Sequence, residues 1–337
     1  MRKLIWILIP LLVIVAVWSF WPRQKGGLVF YSAVSYGPML AQAFTRESGI
    51  PVRVVEMSTG ALLARVSAQG NNPQWDVAWF DGASAAAGLD RAHLVSTGIV
   101  PKDIPWTTLG KSLIPADGAW IPTGYTLAGV FLHPAKSAAP TTWDDLLQAR
   151  WRGHFAMNNP AISGPTYPQV AGWLESHGGW PAGQSFLFAL KGNGMQVFPK
   201  NSNTIHALTQ GNIDLAIVQS SAAYALAAEQ PGHWAVSIPK PAVLLPRVMV
   251  FANHLNPKRE REATEFAQFM LSPKAQELAM RQGAPDGFYW PITRNAPAAD
   301  PGMADTHALP LINLDPTLWG ERESAINAWF SSHILGQ

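Results

Sequence analysis

Between Leu28 and Phe251 the chain repeats one pattern: a short apolar run, a small polar turn, then a helix-like stretch. That alternation reads as α/β. Three of the turns stand out. Ser58-Thr59-Gly60 precedes a helical stretch over 61–68, Ser163-Gly164-Pro165-Thr166 precedes one over 167–175, and Asn201-Ser202-Asn203-Thr204 precedes one over 205–210. A strand that hands over to a helix through hydroxyl or amide residues leaves free backbone N–H groups at the helix start. Those groups and the helix dipole attract an anion or a polar oxygen. Each turn taken singly reads as an ordinary helix cap; three together predict a shared cleft.

The chain has 337 residues, enough for two lobes rather than one core. Hydrophobic residues make up 48% and charged ones 14%, a globular balance. No cysteine is present, which excludes disulfides, thiolate metal sites and attachment of a lipid to cysteine. Arg2 and Lys3 precede an apolar run from Leu4 to Trp21, and Arg23 and Lys25 follow it. Residues 1–25 are therefore expected to be an export signal or membrane anchor, with an uncleaved anchor favoured because no A-x-A site stands out. The net charge is +2 overall and −2 once those four cations are set aside. So slightly acidic a folded part gives no reason to expect nucleic-acid binding.

Taken in order, 28–31, 52–57 and 76–80 are predicted strands, with a helix from Pro38 to Ser48 between the first two. The run 124–132 is predicted as one crossover strand. Thr142 and Asp145 form a capping pair ahead of a helix over 143–148. Further strands are predicted at 155–157, 195–198, 213–218, 234–238 and 247–251, and helices at 259–270 and 273–280.

Several stretches resemble the extracytoplasmic solute-binding proteins of ABC importers. They are Leu28–Tyr36 (LVFYSAVSY), Asp76-Val77-Ala78-Trp79-Phe80, Thr142–Leu147 followed by Trp151-Arg152-Gly153, Asn159–Thr166, and Phe266–Leu278. In order and spacing they are similar to the type II periplasmic-binding-protein fold, in the branch of ferric-ion, sugar-phosphate and phosphonate binders. The resemblance implies two α/β lobes with a ligand cleft between them. The first would hold 28–122 plus 247–337 and the second 126–246, with crossing strands near 123–130 and 243–250. It also implies hinge closure on the ligand.

The resemblance places ligand-binding residues on the turns after strands. In the first lobe these are Ser32, Tyr36, Ser58, Thr59, Gly60 and Asp81. In the second they are Ser163, Gly164, Thr166, Tyr167, Asn201, Ser202, Asn203 and Gln219. Tyr36 and Tyr167 read equally well as ligand-stacking or rim-packing, and Asp81 reads more simply as a helix cap. Ferric members carry adjacent tyrosines at the strand end that here reads Gln219-Ser220-Ser221-Ala222-Ala223-Tyr224. One tyrosine among neutral donors puts iron below an organic or phosphorylated solute. The nine histidines show no zinc spacing, and no G-x-S-x-G elbow or P-loop occurs. The expectation is a periplasmic monomer, tethered to the inner membrane where residues 1–25 are kept as an anchor. It would need no cofactor or metal, act as no enzyme, and deliver a small polar, anionic solute to an ABC permease of the inner membrane. The alternatives are a ferric-ion binder of the same fold, a two-lobe extracytoplasmic enzyme using Asp81 or a histidine, and a sensory ectodomain. The last would be expected to continue into a signalling domain, where this sequence ends at Gln337.

Overall fold

The computed structural model describes residues 27–337. The signal or anchor expected over 1–25 lies outside the described residues. No described helix is long and apolar enough to cross a membrane.

The first sheet begins with β1 (Leu28–Ser32), which pairs in parallel with β2 (Val52–Glu56) and β3 (Val77–Asp81). The crossovers are α1 (Gly37–Ser48) and α2 (Thr59–Gln69). Pro38 near the start of α1 and Gly49 in the left-handed region at its end bound it as the sequence predicts. After β3 come α3 (Ala83–Arg91) and α4 (Thr108–Ser112). β4 (Ile121–Ala128) then leaves this sheet, and β5 (Val130–Pro134) enters the second.

The second sheet is completed by β6 (Phe155–Asn158), β7 (Gln196–Phe198), β8 (Leu215–Val218) and β9 (Trp234–Ser237), in the order β7-β6-β8-β5-β9. Its helices are α5 (Thr166–Ser176), α6 (Gln184–Gly192), α7 (Asn201–Thr209) and α8 (Ser220–Glu229). The long strand β10 (Ala242–Phe251) returns to the first sheet, antiparallel to both β3 and β4. Helices α9 (Pro257–Met270) and α10 (Pro273–Gln282), the short β11 (Leu311–Ile312) and α11 (Pro316–Phe330) complete the chain. Sheet one therefore runs β11-β10-β3-β1-β2, with β4 alongside β10.

Two departures from the sequence reading set how the lobes are joined, beside the stretch 143–148, which is a short 3₁₀ turn over Asp144–Leu147 rather than a helix. The run 124–132 is two strands, because Gly129 sits at φ +74° and a Cβ there would lie 2.6 Å from Gln169 Cγ. Glycine is required on both counts, and the break sends the chain from one sheet to the other. The C-terminal segment, expected wholly with the first lobe, packs on both lobes. Trp319, Ile326 and Phe330 of α11 join Trp143, Trp173 and Phe186 in the core of the second sheet. On its other side Gly320 lies so close to the carbonyl of Ser84 in α3 that a Cβ would be 2.5 Å away. α11 thus buries Trp319, Ile326 and Phe330 against the second lobe and Gly320 against α3 of the first.

Candidate functional site

Three strands of the first lobe and two of the second end towards each other, and their turns decide the site. β1 ends at Ser32, whose hydroxyl donates to the Val34 carbonyl and accepts from the Val34 N–H. β2 ends before Ser58, whose Oγ accepts from Ala61 N at 3.4 Å, a long cap for α2. Across from them α7 starts after Lys200 with no side-chain cap among the described residues. The N–H groups of Asn201 and Ser202 are left for another acceptor.

These turns line one groove of about 700 Å³. Ser32, Ser35, Ser58 and Asp286 of the first lobe face Lys200, Asn201 and Ser202 of the second across it. Glu56 and Glu229 also line it, so it carries three carboxylates against one ammonium. The Asp286 carboxylate accepts the Ser35 N–H at 2.8 Å, which ties the two sides of the first-lobe wall together. Asn201 accepts from the buried Asn158 at 2.6 Å, which fixes the start of α7.

Beside the groove the lobes meet directly. A Cβ on Gly164 would lie 2.4 Å from Thr59 Cβ, and one on Gly60 would lie 3.3 Å from the Ala161 carbonyl oxygen. Ser58-Thr59-Gly60 and Asn159–Thr166 therefore touch in a closed arrangement, and the 700 Å³ groove is what stays open.

Below the groove lies a buried ion pair. Arg247 on β10 is 1% exposed, and its Nε donates to Asp81 Oδ1 at 2.9 Å. Its Nη1 donates to Tyr36 Oη at 2.7 Å and to the Asp286 carbonyl at 3.1 Å. Nη2 makes no hydrogen bond among the described residues. The guanidinium instead sits 5.5–5.7 Å from the ring centroids of Tyr36, Tyr289 and Trp79, within cation–π reach. Burial alone would favour the neutral guanidine, but the carboxylates of Asp81 and Asp286, Asp81 foremost, outweigh it and hold the group protonated. The Tyr36 hydroxyl is pushed up to about 12, chiefly by burial. The second Asp81 oxygen accepts from Gln219 Nε2 at 2.9 Å, and the same nitrogen donates to Thr126 Oγ1 at 3.0 Å.

The residues expected to bind ligand therefore divide by position. Ser32, Ser58, Asn201 and Ser202 share the groove. Thr59, Gly60 and Gly164 form the lobe contact, next to the mostly buried Ser163. Tyr36, Asp81 and Gln219 belong to the buried Arg247 network rather than to an open surface. Asp81 caps no helix: α3 begins at Gly82 without a side-chain cap. Tyr167 is neither a ligand-stacking nor a rim residue. It is 1% exposed in the core of the second sheet, and its hydroxyl donates to the Trp319 carbonyl. Thr166 is equally buried beside it, because α5 is clamped between the second sheet and α11. Asn203 is exposed and is not among the groove-lining residues.

Ser35, Lys200, Arg247 and Asp286 were missed from sequence. Arg247 had a legible signal: a single charge within the otherwise apolar AVLLPRVMVF needs a buried partner.

Residues 39–310 match the model of the bacterial extracellular solute-binding proteins, and the chain belongs to that family. It is a solute-binding protein of the ABC-importer type with a two-lobe α/β fold. Among curated proteins it is similar to iron uptake protein A1 of Synechocystis sp. (strain ATCC 27184 / PCC 6803 / Kazusa). The two are 26% identical over 303 residues, which cover 82% of this chain and 78% of that protein. Among solved structures it resembles the periplasmic binding protein P5PA, with a TM-score of 0.79 at 22% identity, over 92% of this chain and all of the other. It also resembles the fructose-6-phosphate-bound periplasmic binding protein AfuA of Actinobacillus pleuropneumoniae. There the TM-score is 0.78 at 20% identity, over 91% of this chain and 98% of the other.

Proposed function

We propose that the chain captures a small polar organic solute in the groove between its lobes and presents it to an ABC permease of the inner membrane. The observation that carries this reading is the convergence of Ser32, Ser35 and Ser58 from one lobe with Lys200, Asn201 and Ser202 from the other. The uncapped start of α7 and the Lys200 ammonium suit an anionic group on that solute. Glu56, Glu229 and Asp286 repel excess negative charge. A monoanion or a zwitterion with a hydroxylated body fits better than a multiply charged anion.

The name of the Synechocystis relative refers to iron uptake. This chain offers iron a poor donor set. Gln219, Ser220 and Ser221 at the end of β8 are neutral and buried, and Tyr224 accepts the Ala304 N–H. Ferric iron prefers several anionic oxygens, so the organic solute is the better reading.

The test is calorimetric titration of sugar phosphates, phosphonates, zwitterionic amino compounds and ferric citrate into the protein lacking residues 1–26. Micromolar or tighter binding of an organic monoanion or zwitterion is expected. Binding of ferric ion alone, with none of the organic compounds, would overturn the reading.

A further inference from the structure

We infer that Gln219 latches the two lobes together in the absence of solute, and that the buried Arg247–Asp81 pair holds the latch in place. The inference rests on the two-lobe capture proposed above but not on which solute is captured.

Gln219 ends β8 in the second lobe and Asp81 ends β3 in the first, 138 residues apart in sequence. Their contact is 2.9 Å long, between residues 4% and 7% exposed. The other proton of the same amide nitrogen goes to Thr126, 0% exposed on the strand that crosses between the sheets. Both donors of the Gln219 amide are thus in use within the protein, which leaves none to offer a solute. That is why a residue assigned by resemblance to the ligand works here between the lobes.

The acceptor is unusually well held. A carboxylate is a stronger acceptor than a neutral oxygen. Asp81 is kept in place by Arg247, which cannot swing away because Tyr36, the Asp286 carbonyl and three aromatic rings surround it. The same guanidinium braces the first-lobe wall of the groove, since Asp286 in turn receives the Ser35 N–H. One buried cation therefore fixes both the wall against which solute rests and the acceptor that the opposite lobe grips. Opening the lobes breaks the Gln219–Asp81 bond and leaves Asp81 paired with Arg247. Opening thus costs one charge-assisted hydrogen bond but strands no charge. A bond of that kind shifts the closed-to-open ratio by roughly ten- to a hundredfold.

The absence of cysteine makes the test direct. Gln42→Cys on α1 and Ala189→Cys on α6, both exposed on opposite lobes, carry spin labels. Interlabel distances are measured by pulsed electron resonance on protein stripped of solute by unfolding and refolding. The latched protein gives a dominant short-distance population. Gln219→Met, which keeps the length and removes the donors, moves most molecules to a longer distance while the melting temperature stays within a few degrees. Gln219→Glu, which faces Asp81 with a second carboxylate, moves them further. Two results would overturn the inference: unchanged distances in both folded variants, or a long-distance majority already present in the solute-free parent. Should Gln219→Glu fail to fold, Gln219→Met decides alone, by the same distance shift.

Discussion

Gly164→Ala tests whether the two polar turns meet when solute is bound. Gly164 lies outside the left-handed region, so alanine is compatible with its own backbone. In the closed arrangement the new Cβ would sit 2.4 Å from Thr59 Cβ and 2.6 Å from both Cγ2 and Oγ1. A β-branched side chain of three heavy atoms has no flexible end with which to retreat. Overpacking of this kind costs about 1–3 kcal/mol. The cost falls on the closed form alone, because open lobes do not bring Thr59 to Gly164. Since about 1.4 kcal/mol is tenfold, the closed form should be disfavoured by roughly 5- to 150-fold, and solute affinity should fall by the part of that factor that exceeds the latch's own preference for closure. The melting temperature without solute should fall by a few degrees at most, because opening relieves the clash at the cost of the Gln219–Asp81 bond. Calorimetry with the identified solute gives the affinity, and small-angle scattering gives the radius of gyration, which should rise in the variant. Thr59→Gly removes every atom in the clash and should restore affinity in the double variant. Parent affinity and an unchanged radius in Gly164→Ala would refute the closed contact.

Replacing Arg247 with Met leaves Asp81 buried without its ion partner, and a loss of about 3–5 kcal/mol in stability is expected by urea titration. Glu323 on α11 is pushed up to about 7 by burial, above the ordinary carboxyl value of about 4.3. The folded protein therefore holds a proton that the unfolded chain has released, and the stability this gives is lost as pH rises from about 4.5 through 7. Glu323→Gln should match the parent near pH 4 and exceed it by about 1–2 kcal/mol at pH 8, read from paired denaturant curves. Strong chelators should leave solute affinity unchanged in the same calorimeter, and abolition of binding would revive the ferric alternative.

The sheets were legible because each strand is a short apolar run bounded by polar turns, and ten of the eleven observed strands fall on predicted runs. The exception is β11, two residues long, too short for any pattern to show. The break at Gly129 was hidden because a glycine inside an apolar run looks like a continuous strand until the chain is seen to change sheets. The helix α11 had a usable start in Asp315 and Pro316. Its buried residues Trp319, Ile326 and Phe330 are interrupted by the polar run Glu321-Arg322-Glu323-Ser324, which left no clean amphipathic stripe to read. The groove turns could be named because small polar residues after strands are local features. What each does there was not local: Arg247 meets an aspartate 166 residues earlier, and Tyr167 is sealed by a helix 152 residues later. Only the folded chain separates a groove hydroxyl such as Ser58 from a buried partner such as Gln219.

The most direct measurement is native mass spectrometry of the protein purified from its own cells without unfolding, beside the variant Ser202→Trp. Ser202 is exposed and lines the groove, so an indole there fills the space proposed for solute while the fold is kept. The parent should carry a small-molecule adduct that is released chemically intact on unfolding, and the folded variant should carry none. An adduct of equal occupancy in both proteins would place the solute elsewhere and contradict capture in the groove between the lobes.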